Sequence, residues 1–144
     1  MATIRPATLT DLDAVYQLIC DLEGETLNLS FFTENYKVNL QDSKIRYIVA
    51  CDGKKVIGFL SMHIQRILHH ERITCELQEL NILPEYRSQG IGSILMDYAE
   101  GLAKEMGLEE IELTTRNYRV RTQEFYKRLG YEQTHLKFVK RLLR

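Results

Sequence analysis

Residues 84–93 read Pro84-Glu85-Tyr86-Arg87-Ser88-Gln89-Gly90-Ile91-Gly92-Ser93, and their place in the chain matters more than their composition. Before them lies Ile73 to Leu83, a β-rich run stopped by Pro84, which cannot donate to a ladder. After them Ile91, Ile94, Leu95, Tyr98, Ala99, Leu102, Ala103 and Met106 recur at steps of three and four, and Gly107 supplies a C-terminal stop. The stretch is therefore a strand-to-helix turn. Glycines at 90 and 92 let backbone approach a ligand closely, while the first helical turn offers unpaired N–H groups and the positive end of its dipole to an anion. A pyrophosphate fits such a cradle, with Arg87 as a charged contact at its mouth and Ser93 as a first-turn hydroxyl. The spacing is neither the Gly-x-Gly-x-x-Gly of a dinucleotide site nor the Gly-Lys-Ser/Thr ending of a Walker loop. Taken alone, a Gly-x-Gly here also serves plain helix–sheet packing.

Working outward, Leu108 to Thr114 returns as a strand, so Ile73 to Thr114 is a βαβ unit with two parallel strands. Upstream, Arg46 to Cys51 and Lys55 to Ile64 are rich in β-branched and aromatic residues and flank Asp52-Gly53, a hairpin signal. The polar run Leu68 to Arg72 reads as the following turn. Thr3 to Pro6 is a short first strand. Thr8 or Thr10 then caps a helix carrying Leu12, Val15, Leu18, Ile19 and Leu22 and ending near Gly24. Between 25 and 42 the pattern gives a short helix over 33–39 with a mobile segment before it. A further helix spans Arg119 to Leu129 and stops at Gly130, and Tyr131 to Leu142 supplies one or two last strands. The expected fold is α/β: a single mixed, mostly antiparallel sheet with a central βαβ unit and helices on both faces.

Composition narrows the function. The chain has 144 residues, 44% of them hydrophobic and 27% charged, which suits one globular domain spanning 1–144. Nineteen basic against twenty acidic residues leave a net charge of -1, which argues against nucleic acid as a partner. Cys20, Cys51 and Cys75 are odd in number and far apart, as reduced cytoplasmic thiols are. No window approaches the ~20 apolar residues of a membrane span.

Arg87-x-x-Gly90-x-Gly92, set between Leu80-Asn81-Ile82-Leu83-Pro84 and an amphipathic helix, resembles the acetyl-coenzyme A motif of the GNAT superfamily of N-acetyltransferases. Phe125-Tyr126-Lys127-Arg128-Leu129-Gly130-Tyr131 is similar to that family's second signature, and the order of elements resembles its fold over essentially the whole chain. Within the superfamily, Arg5-Pro6-Ala7-Thr8, Asp13 to Cys20, Leu68-His69-His70, Gln78-Glu79-Leu80 and Gly130 to His135 resemble the bacterial aminoalkylphosphonate N-acetyltransferases.

The resemblance implies an enzyme that takes acetyl-CoA as co-substrate and a small primary amine as acceptor, the amine attacking the thioester directly. It implies that the coenzyme enters an opening between the ends of Ile73–Leu83 and Leu108–Thr114. Backbone groups of Leu80, Asn81 and Ile82 would meet the pantetheine arm, and Arg87, Ser88, Gln89, Gly90, Ile91, Gly92 and Ser93 the pyrophosphate. Arg119, seven residues before Tyr126, stands where relatives often contact the coenzyme; Asn117 does not fit that spacing.

Direct attack needs a base for the ammonium and an acid for the leaving thiolate. Tyr126 is the expected acid, although it also reads as a core tyrosine on one helix face with Thr122 and Leu129. Glu76 and Glu79 are both candidates for the base. Strand alternation sets them on opposite faces unless a bulge intervenes, and spacing alone does not choose between them.

A phosphonate needs cationic groups, for which Arg46, Arg66, His69, His70 and His135 are candidates. The His69-His70 pair fixes no third metal ligand and reads as a solvated loop, so no metal is expected. A homodimer is implied by resemblance, with Phe138, Val139, Leu142 and Leu143 as interface or core. Two other readings stay open: acetylation of a protein amine, and a non-catalytic module that senses acetyl-CoA.

Overall fold

The computed structural model describes residues 2–143. The chain forms two compact units, Met1–Leu113 and Thr114–Arg144. In the first, five strands lie in sequence order: β1 Thr3–Pro6, β2 Ile45–Asp52, β3 Lys55–Gln65, β4 Thr74–Ile82 and β5 Ile111–Leu113. The first four pair antiparallel, and β5 pairs parallel to β4 through the helix α3, Ile91–Glu105. The mixed sheet with a βαβ unit is as the sequence reads.

Alternation sorts the sheet into two faces. Val49, Cys51 and Phe59 form one buried cluster with Val15, Leu18 and Ile19 of α1, Leu12–Glu23, and Tyr36 of α2, Leu29–Leu40. On the other face a Cβ at Gly58 would sit 3.2 Å from Leu95 Cδ1 of α3, which places α3 opposite α1 and α2. Leu95, Met96 and Ala99 are fully buried there. Leu95 and Met96 each contribute about 1.5–3 kcal/mol on leaving water.

Local chemistry sets the helix ends. Asp11, 5% exposed, accepts from Arg5 Nη1 and Nη2 at 2.8 and 2.9 Å and from the Thr8 amide at 2.8 Å, fastening β1 to the start of α1. Gly24 ends α1 in the left-handed region at φ 70°, its amide bonded to Cys20 O at 2.9 Å.

The second helix begins earlier than the sequence pattern suggests, at Leu29 rather than 33. Asn28 is the reason: its side chain accepts from the Phe31 amide at 2.9 Å and caps the helix there. The segment before it is held too, since the Tyr16 hydroxyl donates to Leu27 O at 2.6 Å. A run of ring contacts then carries α2 onto the sheet: Tyr16–Phe32 at 5.1 Å, Phe32–Tyr36 at 6.2 Å, Tyr36–Tyr47 at 5.4 Å and Tyr47–Phe59 at 5.2 Å.

In the second unit α4 spans Val120–Arg128. The expected strands over Tyr131–Leu142 are absent: residues 131–143 have no regular structure. Leu136, Phe138, Val139, Leu142 and Leu143 are each at least 80% exposed, so here they are neither core nor paired strand. A strand needs a partner edge as well as apolar residues, and none of the described residues of this unit provides one.

Candidate active site

Between α1, α2 and the sheet lies a cavity of about 430 Å³, lined by apolar and aromatic side chains with Asn35, Asn39, Tyr47, His63, Gln78 and Glu79 as its polar members. Apolar walls with a few convergent polar groups are the usual form of a small-molecule site. A break in β4 brings Glu79 there. Ser61 faces Glu79 and Met62 faces Leu77, so Gln78 is an extra residue. Across that bulge Glu76, paired with His63, and Glu79, paired with Ser61, fall on the same face, because residues 61 and 63 are two apart on β3.

The two glutamates differ in what surrounds them. Glu79 lines the cavity, accepts a short hydrogen bond from Ser61 Oγ, and its own amide donates back to that oxygen at 3.0 Å. Glu76 does not line the cavity and accepts from Gln65 Nε2 at 3.3 Å. On the same wall Asn39 Nδ2 donates to the Tyr47 hydroxyl at 2.7 Å. Burial, reinforced by the Glu79 charge, raises the Tyr47 phenol above its ordinary value. Burial likewise raises Tyr36, whose hydroxyl donates to Thr8 O at 2.7 Å. Both phenols therefore stay protonated, Tyr36 as a donor and Tyr47 as the acceptor of the Asn39 bond.

The bulge also ends the parallel pairing. β5 meets β4 only at Cys75, Glu76 and Leu77, so from Gln78 to Ile82 the outer edge of β4 has no partner in the sheet. Leu80, Asn81 and Ile82 thus lie on an edge without a ladder partner, where the Ile82 carbonyl accepts from Arg87 Nε. At the end of β4, Asn81 Nδ2 donates to Leu18 O and to Asp21 Oδ2, both at 2.8 Å.

Arg87 is tied into the same network. Its Nη2 donates to Asp21 Oδ2 at 2.6 Å and Asn81 Oδ1 at 3.1 Å, and its Nε to Ile82 O at 2.9 Å. The guanidinium thus anchors the loop to α1 and β4. Beyond it Ser88 turns through φ 63° and Gly90 through φ 82°, immediately before Ile91 opens α3. Nothing lies within 4 Å of the position a Gly90 Cβ would take. This open corner and the first-turn amides of residues 91–93 fit a pyrophosphate. Gln89 turns back, Nε2 donating to Glu85 O at 3.4 Å.

In the second unit Arg119 directly precedes α4, its guanidinium 5.9 Å from the Tyr118 ring centroid. Tyr126 is half-buried between Phe125 and Tyr131, ring centroids at 5.2 and 5.9 Å, and burial pushes its phenol up to about 12.

Among the residues expected to bind a phosphonate, none of Arg46, Arg66, His69, His70 and His135 lines the cavity. His70 is not the solvated loop histidine its sequence context implies. Its side chain is 14% exposed, with Nδ1 2.6 Å from Glu109 and Nε2 3.3 and 3.6 Å from Glu110 and Glu112. The Glu109 hydrogen bond raises its pKa. Sequence reading passes over Asp21, Tyr47, Ser61 and His63. Alternation from Phe59 puts 61 and 63 on the cavity face; Asp21 carries no signal, because its partners are far along the chain.

The parallel pairing thus ends at a bulge, a glycine corner precedes α3, and a carboxylate lines the cavity between the sheet and α2. Residues 12–131 match the Acetyltransferase (GNAT) family, and the chain belongs to that family. It is an acetyltransferase. The chain is 41% identical over 139 residues, 96% of its length and 90% of the relative's, to the aminoalkylphosphonate N-acetyltransferase of Salmonella typhimurium. The crystal structure of a transcriptional regulator from Bacillus halodurans is 28% identical with a TM-score of 0.91, covering 99% of this chain and all (100%) of that one. An aminoglycoside acetyltransferase from an uncultured soil metagenomic sample shares the fold at 19% identity and a TM-score of 0.84, with 99% of this chain and 97% of that one covered. No helix among the described residues is long and apolar enough to cross a membrane.

Proposed function

We propose that this chain transfers the acetyl group of acetyl-CoA to the primary amine of a small aminoalkylphosphonate, in a ternary complex and by direct attack. The similarity to the Salmonella protein over nearly the whole chain carries the substrate class. Edge backbone at Leu80, Asn81 and Ile82 would hold the pantetheine arm; residues 87–93 would hold the pyrophosphate, with Arg119 as a further contact. Acetyl-CoA supplies the acetyl group as a thioester, already activated toward an amine.

The chain's own residues manage the protons. Glu79, in the cavity and oriented by Ser61, takes the proton from the acceptor ammonium, directly or through one water. We assign the base to Glu79 rather than Glu76 because only Glu79 lines the cavity. Tyr126, kept protonated by burial, holds the proton destined for the leaving thiolate.

The α2 wall favours a small acceptor over a protein amine. A non-catalytic, acetyl-CoA-sensing reading draws on the similarity to the Bacillus transcriptional regulator. We place the protein in the cytoplasm, in keeping with its free thiols, as a single domain, since the family match runs across both units.

The test is thiol release from acetyl-CoA with a panel of amines: 2-aminoethylphosphonate, aminomethylphosphonate, a polyamine, glucosamine 6-phosphate and a lysine peptide. Turnover concentrated on the aminophosphonates is expected. Equal or faster turnover of the peptide, or acetyl-CoA binding without any turnover, would overturn the reading in favour of one alternative or the other.

A further inference from the structure

An acidic acceptor needs a partner for its acid group, and the cavity offers an unexpected one. Among the described residues, no lysine or arginine lines it. Of its polar members, Glu79 is engaged with Ser61, and Asn39 with Tyr47. His63 is half-buried, and its imidazole makes no hydrogen bond or ion pair among the described residues. The side chains of Asn35 and Gln78 are exposed, so they stand at the rim. An imidazole held in a cavity wall without a partner gives up hydrogen bonding that water would supply, unless a ligand restores it.

We propose that His63, with the Asn35 and Gln78 amides beside it, receives the phosphonate of the acceptor and so determines specificity. This rests on the substrate reading above. The spacing supports it. His63 lies two residues beyond Ser61, the partner of Glu79, on the same strand face. Two residues along β3 and one strand spacing across to β4 separate the His63 and Glu79 backbones by ~8 Å. A four-atom N–C–C–P chain, hydrogen-bonded at each end, covers that length, with its amine at Glu79 and its phosphonate at His63.

Chemistry agrees with geometry. Among the described lining residues imidazole is the one group that can become a cation, and a phosphonate accepts charge-assisted hydrogen bonds from it and ordinary ones from two amides. The ionisable groups facing His63 are Glu76, its register partner, Glu79, and the protonated Tyr47.

The experiment compares kcat/KM for 2-aminoethylphosphonate with that for n-propylamine, which has the same chain length and no acid group, in the wild-type chain, His63→Ala and His63→Gln. Wild type should prefer the aminophosphonate. In His63→Ala that preference should fall about 10- to 100-fold, chiefly through KM for the phosphonate. His63→Gln, which keeps a donor, should recover part of it. Melting temperature and acetyl-CoA affinity, measured on both variants, identify any misfolded protein, and His63→Gln then decides. A preference unchanged in both variants, or equal losses on the two amines, would refute this inference alone. A wild-type chain that turns over propylamine as well as the aminophosphonate, or neither, would instead sink the substrate reading beneath it.

Discussion

Replacing Glu79 by glutamine keeps the size of the side chain and an oxygen for Ser61 Oγ, and removes only the basic carboxylate. A primary amine has a pKa of ~10.4, so about 0.1% of it is free base near pH 7.4. A group that accepts the ammonium proton in the site can recover up to roughly 10³ of that deficit, within the 10²–10⁴ usual for general bases. The expected loss in kcat/KM is therefore about 10²- to 10³-fold at neutral pH, or roughly 3–4 kcal/mol of transition-state stabilisation. That loss should shrink with pH. Each unit makes free amine about tenfold more abundant until the amine's own pKa, so Glu79→Gln should gain on wild type with near-unit slope. Continuous detection of released thiol over the alkaline range measures it, with Glu76→Gln as comparator. A Glu79→Gln deficit that is below about threefold, or equally large at every pH, would refute the base assignment. So would a larger deficit in Glu76→Gln.

Four further outcomes follow from the geometry. Tyr126→Phe should lower kcat about 10²-fold with little change in KM, and the wild-type kcat should show no Tyr126-linked fall until pH approaches the phenol's value of about 12. Gly90→Asp should raise the Kd for acetyl-CoA at least ~10-fold in calorimetry, because it puts an anion at the helix start and a side chain at φ 82°. Asp11→Asn should cost about 2 kcal/mol in urea unfolding, the scale of charged hydrogen bonds whose partner Arg5 is half exposed. The Arg5 bond holds the Asp11 carboxyl below its ordinary range, so this stabilisation is full above the unfolded carboxyl value of ~3.9 and is lost as pH falls through the folded value. The exposed Leu136, Phe138 and Val139 should be covered by a second copy, so light scattering should report a dimer and Phe138→Asp a monomer.

What sequence alone established was local. The helical stripes of α1 and α3, the glycine corner before α3 and the paired family signatures are patterns within a few turns of chain, and the structure keeps each of them in place. The start of α2 is local too, since Asn28 caps it three residues before the amide it binds, but the apolar pattern by itself places that helix over 33–39.

Tertiary structure decided what depends on distant partners. That Glu76 and Glu79 share one face turned on one extra residue, Gln78, visible only in how β4 pairs with β3, because register is a property of two strands together. Arg87 meets Asp21 across 66 residues, so an arginine that sequence reads as a coenzyme contact is tied down as a loop anchor. The Tyr131–Leu142 pattern has the apolar content of a strand, but pairing requires a neighbouring edge that the pattern does not encode. His63 sits in an ordinary stretch of strand sequence. Only the closing of α2 over the sheet turns it into the unpaired wall of a cavity, because burial, unlike periodicity, is created by whatever packs against a residue.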